Sequence, residues 1–304
     1  MKLAAVPSAA RFASYFVGSI RVVILADGAR TFPLTDDFVT NATKDEINAA
    51  LSDAGLPINQ ITTIYTPILL DCGNRKVLID TGNGAAGLVA DPAGPGCLSE
   101  SLSQAGIKAA EIDTVVISHC HPDHVNGLLD ENDNSAYPNA AILVPRVEWD
   151  FWMKKAPRIP APSPRMMKLT QTNLKIFDSL KDQVQVYSDG DEILDGVTAV
   201  GTPGHSIGHM SFIVKSGAEE VFLQSDLTNN PAIFLRNPGW HGRFDQYPVL
   251  AERTRREKLH WLAQKRIRVQ GYHFPFPGCG YVEQTADGYR FKPLALGAET
   301  SHGG

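Results

Sequence analysis

The chain has 304 residues, 43% hydrophobic and 20% charged, with a formal net charge of −5. That is ordinary globular usage in a chain long enough to bury a core unaided, and the four cysteines (Cys72, Cys97, Cys120, Cys279) follow neither a zinc-knuckle nor a dense secreted spacing, so they are expected to be reduced. The acidic balance and lack of a Lys/Arg tract argue against a nucleic-acid partner, and no apolar run approaches the length of a membrane span.

The opening "MKLAAVPSAARFASYFVGS" is interrupted by Pro7 and Arg11, so it does not read as a signal peptide. The expected location is the cytoplasm, with the periplasm as the alternative. "IRVVILADG" is rich in branched residues and reads as a strand. "NATKDEINAALSDAG" reads as a helix: Thr43 can cap it, acids fill the first turn and Gly55 stops it. "ITTIYTPILLD" and "KVLIDTG" flank "CGNR" as a hairpin, and "LSESLSQAG" is a short helix closed by Gly106. "IDTVVISH" is an apolar strand, "AILVP" another, and "RVEWDFWMKK" the helix after it. "APRIPAPSPR" reads as a surface crossing rather than a linker between domains, because the same strand pattern resumes beyond it. A helix is expected over about 164–180, then the strands "VQVYS", "VTAVGTP", "HMSFIVKSG" and "EEVFLQSD". "YPVLAERTRREKLHWLAQKR" is the clearest helix, "IRVQGYH" a last core strand and "GYVEQTADGYRFKPL" a hairpin around Asp287-Gly288. Two sets of strands accompanied by helices fit a four-layer αββα sandwich formed by one domain over 1–304, although periodicity alone leaves a doubly wound sheet open.

Nine histidines are unevenly spread, and three fall within "SHCHPDHVNG". The spacing His119-x-His121-x-Asp123-His124 follows a buried strand, where a loop on a rigid scaffold can turn several side chains to one point. Imidazole and carboxylate suit zinc and other borderline divalent metals, and four such residues so close make a coincidental polar loop the weaker reading. Three more candidates each end a strand before a turn: His205 in "TPGHSIGH", Asp226 in "LQSDLT" and His273 in "GYHFPFPG". Asp80 in "VLIDTG" completes the set.

This pattern resembles the metallo-β-lactamase superfamily over nearly the whole chain. The resemblance implies an αββα sandwich with metals at one edge of the sheets. It implies that His119, His121 and His205 hold one metal, that Asp123, His124 and His273 hold a second, and that Asp226 bridges them. Asp80 would orient a ligand by hydrogen bonding. A carboxylate at position 226, where some β-lactamases carry cysteine or serine, points to lactonases, thioesterases and phosphodiesterases. "GYHFPFPGCGYVEQTADGYRFKP" and "LADGARTFPL" are similar to the branch of methyl parathion hydrolase and its N-acyl homoserine lactonase relatives. The cofactors implied are two divalent ions, zinc first, with cobalt, manganese or iron as alternatives; a homodimer is also implied.

Cys120 reads as a spacer, since neighbouring side chains on a turn diverge. His209 reads as structural, His260 as a helix residue and His302 as part of the tail. Trp149, Phe151, Trp152, His241 and Phe274 are candidates for the substrate pocket. The mechanism implied is attack by a metal-activated hydroxide on a lactone or ester carbonyl, with Asp123 or Asp226 moving the proton. No serine nucleophile is invoked: the one GxSxG string, Gly204-His205-Ser206-Ile207-Gly208, carries the candidate ligand His205 at its second position. An acyl homoserine lactone is the first substrate expected, a phosphotriester the second and a glyoxalase-type thioester the third. A nuclease of the same superfamily and a non-catalytic zinc protein rank below, the first for want of basic clusters and the second because every ligand motif is intact.

Overall fold

The computed structural model describes residues 11–296. Met1–Ala10, with the start of the opening segment, and His302 lie outside the described residues. Two seven-stranded sheets make up the middle of the fold. In spatial order the first runs Phe12–Val17, Ile20–Leu25, Ile68–Asp71, Lys76–Ile79, Thr114–Val116, Ala141–Pro145 and Val184–Tyr187. The second runs Glu192–Leu194, Val197–Gly201, Met210–Ser216, Glu219–Ser225, Arg268–Gly271, Cys279–Gln284 and Tyr289–Pro293.

Alternation along the strands explains the layering. Val22 and Ile24 face the second sheet with Leu70, Val77, Ile79 and Val116, meeting Phe212, Val214, Val221 and Leu223. Their neighbours Val23 and Leu25 face the other way with Leu69, Leu78 and Val115. That outer surface is covered by Leu98 and Leu102 of helix Leu98–Gln104 and by Ile176 and Phe177 of helix Pro164–Ser179. Phe222, Val269 and Val282 cover the far side of the second sheet against Leu259 and Leu262 of helix Pro248–Lys265. Strands with both faces buried read as continuous apolar runs, and the helices satisfy those faces. The result is the expected αββα sandwich.

The helix Lys44–Asp53 forms as its sequence demands. Thr43 accepts from Glu46 N–H and Glu46 accepts from Thr43 N–H, a reciprocal capping box. One expectation was too simple. "ITTIYTPILLD" is two strands broken by Pro67: Gln60–Tyr65 pairs with Gly28–Pro33 in a separate ribbon, while Ile68–Asp71 joins the first sheet. Proline lacks the ladder donor, so the chain changes sheets there. Phe12–Val17 and Gly28–Pro33 also emerge as strands that periodicity had not separated from their surroundings.

Strand direction places the chemistry. Lys76–Ile79 and Thr114–Val116 are parallel, so Asp80 and Ser118 leave at one edge. Glu219–Ser225 and Arg268–Gly271 are parallel, so Asp226 and His273 do likewise. Val197–Gly201 is separated from Glu219–Ser225 by one antiparallel strand and runs the same way, delivering His205. Carboxyl ends of parallel strands are where α/β sheets place ligands.

Gly204, immediately before His205, has φ +136°, and a Cβ there would lie 2.3 Å from the backbone of Ala251. Gly217 also has positive φ but faces open space. Gly204→Ala is therefore expected to cost at least about 2 kcal/mol, combining strain with a backbone clash, while Gly217→Ala costs about 1 kcal/mol. Urea midpoints of the two variants measure the difference.

Candidate metal centre

Three imidazoles converge first. His119 Nε2 lies 3.0 Å from His121 Nδ1, which lies 2.9 Å from His205 Nε2. A second group follows beside it. His124 Nε2 is 3.7 Å from Asp123 Oδ2, and His273 Nε2 is 3.5 Å from the same oxygen. Asp226 stands between the groups: Oδ1 is 3.3 Å from His124 Nε2, while Oδ2 is 3.3 Å from His205 Nε2 and 3.0 Å from His273 Nε2. All seven side chains named from the sequence as ligands thus meet in one place.

The outer nitrogens decide which way the lone pairs face. Ser118 donates its single proton to Asp80 Oδ2 (2.8 Å), so His119 Nδ1–H donates to Ser118 Oγ (3.1 Å) and its Nε2 is left bare. His124 Nδ1–H donates to Asp80 Oδ2 (2.8 Å), His205 Nδ1–H to Asp245 Oδ1 (3.0 Å) and His273 Nδ1–H to the Ile64 carbonyl (2.7 Å). Four Nε2 atoms are therefore turned inward as acceptors by their outer partners. Asp80, at φ +62°, and Ser225, at φ +50°, hold backbone conformations that non-glycine residues seldom adopt, and both lie in this network.

The donor set fits a cation. His124 Nε2 and Asp226 Oδ1 are buried without a hydrogen-bond partner. Burial of such groups is costly unless an opposite charge meets them. Burial first, then the neighbouring imidazoles, holds His119 well below the ordinary histidine range. His121 is likewise held low by burial, then by His205 and the Arg165 guanidinium. At His124 burial is outweighed by Asp80, Asp226 and Asp123, and at His273 by Asp226 and Asp123, so both are raised. Asp226 is held well below the carboxylate range because His273, His124 and His205 outweigh its burial. Nitrogen and oxygen donors of this kind suit zinc and similar divalent ions.

Several supports were not evident in the sequence. His209 is structural, as expected, but it also acts on the centre. Its Nδ1–H donates to the Thr202 carbonyl (3.0 Å), and its Nε2 accepts from Asp226 N–H (2.9 Å). Burial pushes it down to about 3, so it stays neutral and fixes the Asp226 backbone. Arg255 bonds Asp245 Oδ2 (3.1 Å) and the carbonyls of Leu227, Pro238 and Trp240, tying the loop behind His205 to the loop of Asp226. Tyr272 stacks on His124 at 4.2 Å and donates its hydroxyl to the Asp123 carbonyl. Glu148 is fully buried and no cation pairs with it among the described residues. It accepts from Cys120 N–H (3.0 Å), Trp152 Nε1–H (2.8 Å), Ser206 Oγ–H (2.7 Å) and Gly208 N–H (2.7 Å). One carboxylate thereby clamps the His119–His121 turn to the His205 loop. Asp245 carried no motif, and the apolar context of Glu148 in "VEWDFW" was the only hint that it points inward.

Cys120 is the spacer expected: its side chain packs in the core, and burial followed by Glu148 pushes its thiol well up. A cavity of about 550 Å³ opens onto the centre, lined by Phe32, Phe38, Tyr65, Leu169, Arg165 and Phe244, among others. The pocket residues proposed from sequence need correction. Trp149 and Phe151 belong to the core, Trp149 edge-on to Phe177 and Phe151 edge-on to Trp152. Phe274 is buried against Phe291 on the far side of the second sheet. His241 Nε2 is held by Glu252 (2.8 Å), turned away from the cavity, and its loop contributes Phe244 instead. Only Trp152 reaches a cavity, a smaller one that it shares with His121.

Comparison with known proteins places the chain. The profile of the family described as metallo-beta-lactamase superfamily matches residues 66–266. An N-acyl homoserine lactonase AttM of Rhizobium johnstonii is 26% identical over 200 residues, 61% of this chain and 69% of that protein. A metallo-hydrolase, mfmC of Annulohypoxylon moriforme, is 27% identical over 207 residues, 58% of this chain and 52% of that protein. Among solved structures, AidC, a dizinc quorum-quenching lactonase bound to a homoserine product, superposes with TM-score 0.86 at 25% identity, covering 93% of this chain and 97% of that one. The hydrolase AbOPH superposes with TM-score 0.86 at 22% identity, covering 96% and 100%, and shares the fold.

Replacing Asp245 by Asn removes the carboxylate behind His205 and is expected to weaken metal binding about 10- to 100-fold, read by competition with a chromogenic chelator. Glu148→Gln puts an amide donor where four donors already point. It is expected to lower stability by about 1–3 kcal/mol in chemical denaturation.

Proposed function

From the premise that the chain belongs to the metallo-beta-lactamase superfamily and is a metal-dependent hydrolase, we propose that it opens lactones, with acyl homoserine lactones as the first substrate class. The observation that carries this reading is one cavity of about 550 Å³ whose floor is formed by His121, Asp123, His205, Asp226 and His273, with His119 and His124 buried behind them, and whose apolar walls are Phe32, Phe38, Leu169 and Phe244. Such a space suits a small polar ring with an apolar arm. The relatives named as lactonases support the same choice. His119, His121 and His205 would hold one ion, Asp123, His124 and His273 the other, with Asp226 shared between them. Two divalent ions, zinc first, supply when bound a water acidic enough to ionise near neutral pH and a Lewis acid for the carbonyl.

The chain's own residues do the rest. Asp123 is the more accessible carboxylate, its side chain 24% exposed against 3% for Asp226. It takes the proton released as water adds to the lactone carbonyl and returns it to the ring oxygen as the C–O bond breaks. Asp226, accepting no proton, stays a fixed anion among three imidazoles. Tyr65, whose hydroxyl is kept protonated by burial and by Asp123, lines the cavity edge-on to His273 and offers a neutral donor to the substrate. The apolar walls exclude water from the reacting carbonyl.

The test is a side-by-side assay of metal-stripped and zinc-, cobalt- or manganese-loaded protein on lactones, aryl esters, phosphotriesters, thioesters and a β-lactam. The highest kcat/KM is expected on acyl homoserine lactones. Asp226→Ala or His121→Ala is expected to lower it by at least about 1,000-fold, while Asp123→Asn lowers kcat more than it raises KM. A phosphotriester ranked first would overturn the substrate assignment, and undiminished cleavage by the stripped variants would overturn the mechanism.

A further inference from the structure

Two arginines stand on the cavity rim, and they are not equivalent. Arg243 is neutralised: its guanidinium bonds Asp37 Oδ1 (3.1 Å) and Thr35 Oγ1 (3.2 Å). Arg165, near the start of helix Pro164–Ser179, has no carboxylate partner among the described residues. Its Nη1 and Nη2 donate to the carbonyls of Arg243 (2.8 Å) and Phe244 (3.4 Å). A guanidinium has five N–H groups, so about three remain after those bonds.

Its position gives those donors a use. Arg165 lines both the main cavity and a smaller adjoining one of about 180 Å³; the two share His121, Arg165, Leu169 and Phe244. A substrate reacting over His121 with its arm directed toward the smaller cavity would pass the guanidinium. Arg165 is exposed, so its remaining N–H groups are hydrated; an arm laid against them displaces that water, and a carbonyl oxygen would replace the lost hydrogen bonds where an alkyl arm would not.

We propose that Arg165 is a specificity-determining residue that receives the carbonyl oxygen of an amide-linked acyl arm next to the scissile lactone ring. This rests on the lactone reading above and narrows it: the preferred substrate carries an acceptor oxygen beside the ring as well as an apolar tail. A site that hydrogen-bonds a substrate group discriminates strongly against the analogue lacking it.

The experiment uses two substrates with the same five-membered lactone ring, one bearing a hexanoyl-amide arm and the other an alkyl arm of equal length. Steady-state kinetics are measured for the zinc-loaded parent, R165K and R165A, with thermal midpoints as a folding check. The parent should favour the amide-bearing lactone. In R165A the ratio of the two kcat/KM values should fall about 10- to 100-fold, mainly through KM on the amide substrate, and R165K should recover part of it. Equal losses on both substrates would mark Arg165 as a clasp on the 241–245 loop and overturn the inference; an unchanged ratio would do the same. If the parent opens neither lactone while still cleaving aryl esters in a metal-dependent way, the lactone reading fails and this inference falls with it.

Discussion

The bare Nε2 lone pairs of His119 and His205 both face His121 Nδ1 at about 3 Å, and one imidazole proton could satisfy only one of them. Asp226 adds the opposite demand, a buried carboxylate with one oxygen unpartnered. The pair of cations proposed above would satisfy both at once. The surroundings of the centre are arranged around that constraint. Asp80, Asp245, Ser118 and the Ile64 carbonyl take the outer Nδ1–H groups, which turns four Nε2 atoms toward the centre.

The fold makes such crowding tolerable by making it rigid. Strands from both sheets end at one edge, and each contributes one or two side chains. Loops alone would relax away from a cluster of like groups. Here they are cross-tied: Glu148 joins the His119–His121 turn to the His205 loop, and Arg255 joins the Asp245 loop to Leu227 beside Asp226. Both ties are buried polar contacts with their partners in place, the condition under which such groups add specificity without a penalty for lost hydration. The strained backbone at Asp80 and Ser225 is held by the same network.

Much of this was legible in the sequence because motif and scaffold coincide. A buried strand running straight into His119-x-His121-x-Asp123-His124 leaves few other uses for those side chains, and His205, Asp226 and His273 each end a strand of the second set. Asp245, Glu148 and Arg255 were not legible, since each works through a partner distant in sequence and none sits in a spacing that requires it. Aromatic pocket residues failed for a related reason. Trp149, Phe151 and Phe274 are apolar side chains beside the site in sequence, and the core claimed them. The cavity walls come instead from Phe32 on the ribbon Gly28–Pro33 with Gln60–Tyr65, Phe38 in the turn that follows it and Phe244 in the 241–245 loop, none of which periodicity could orient.

The central claim is that this one edge of the sandwich holds two divalent ions through Asp226. Its most direct measurement is the metal content of chelator-treated protein after zinc titration and gel filtration, by elemental analysis, for the parent chain and for Asp226→Asn. Two ions per chain are predicted for the parent and fewer than two for the variant. One ion or none in the parent, or two retained by the variant, would contradict the account.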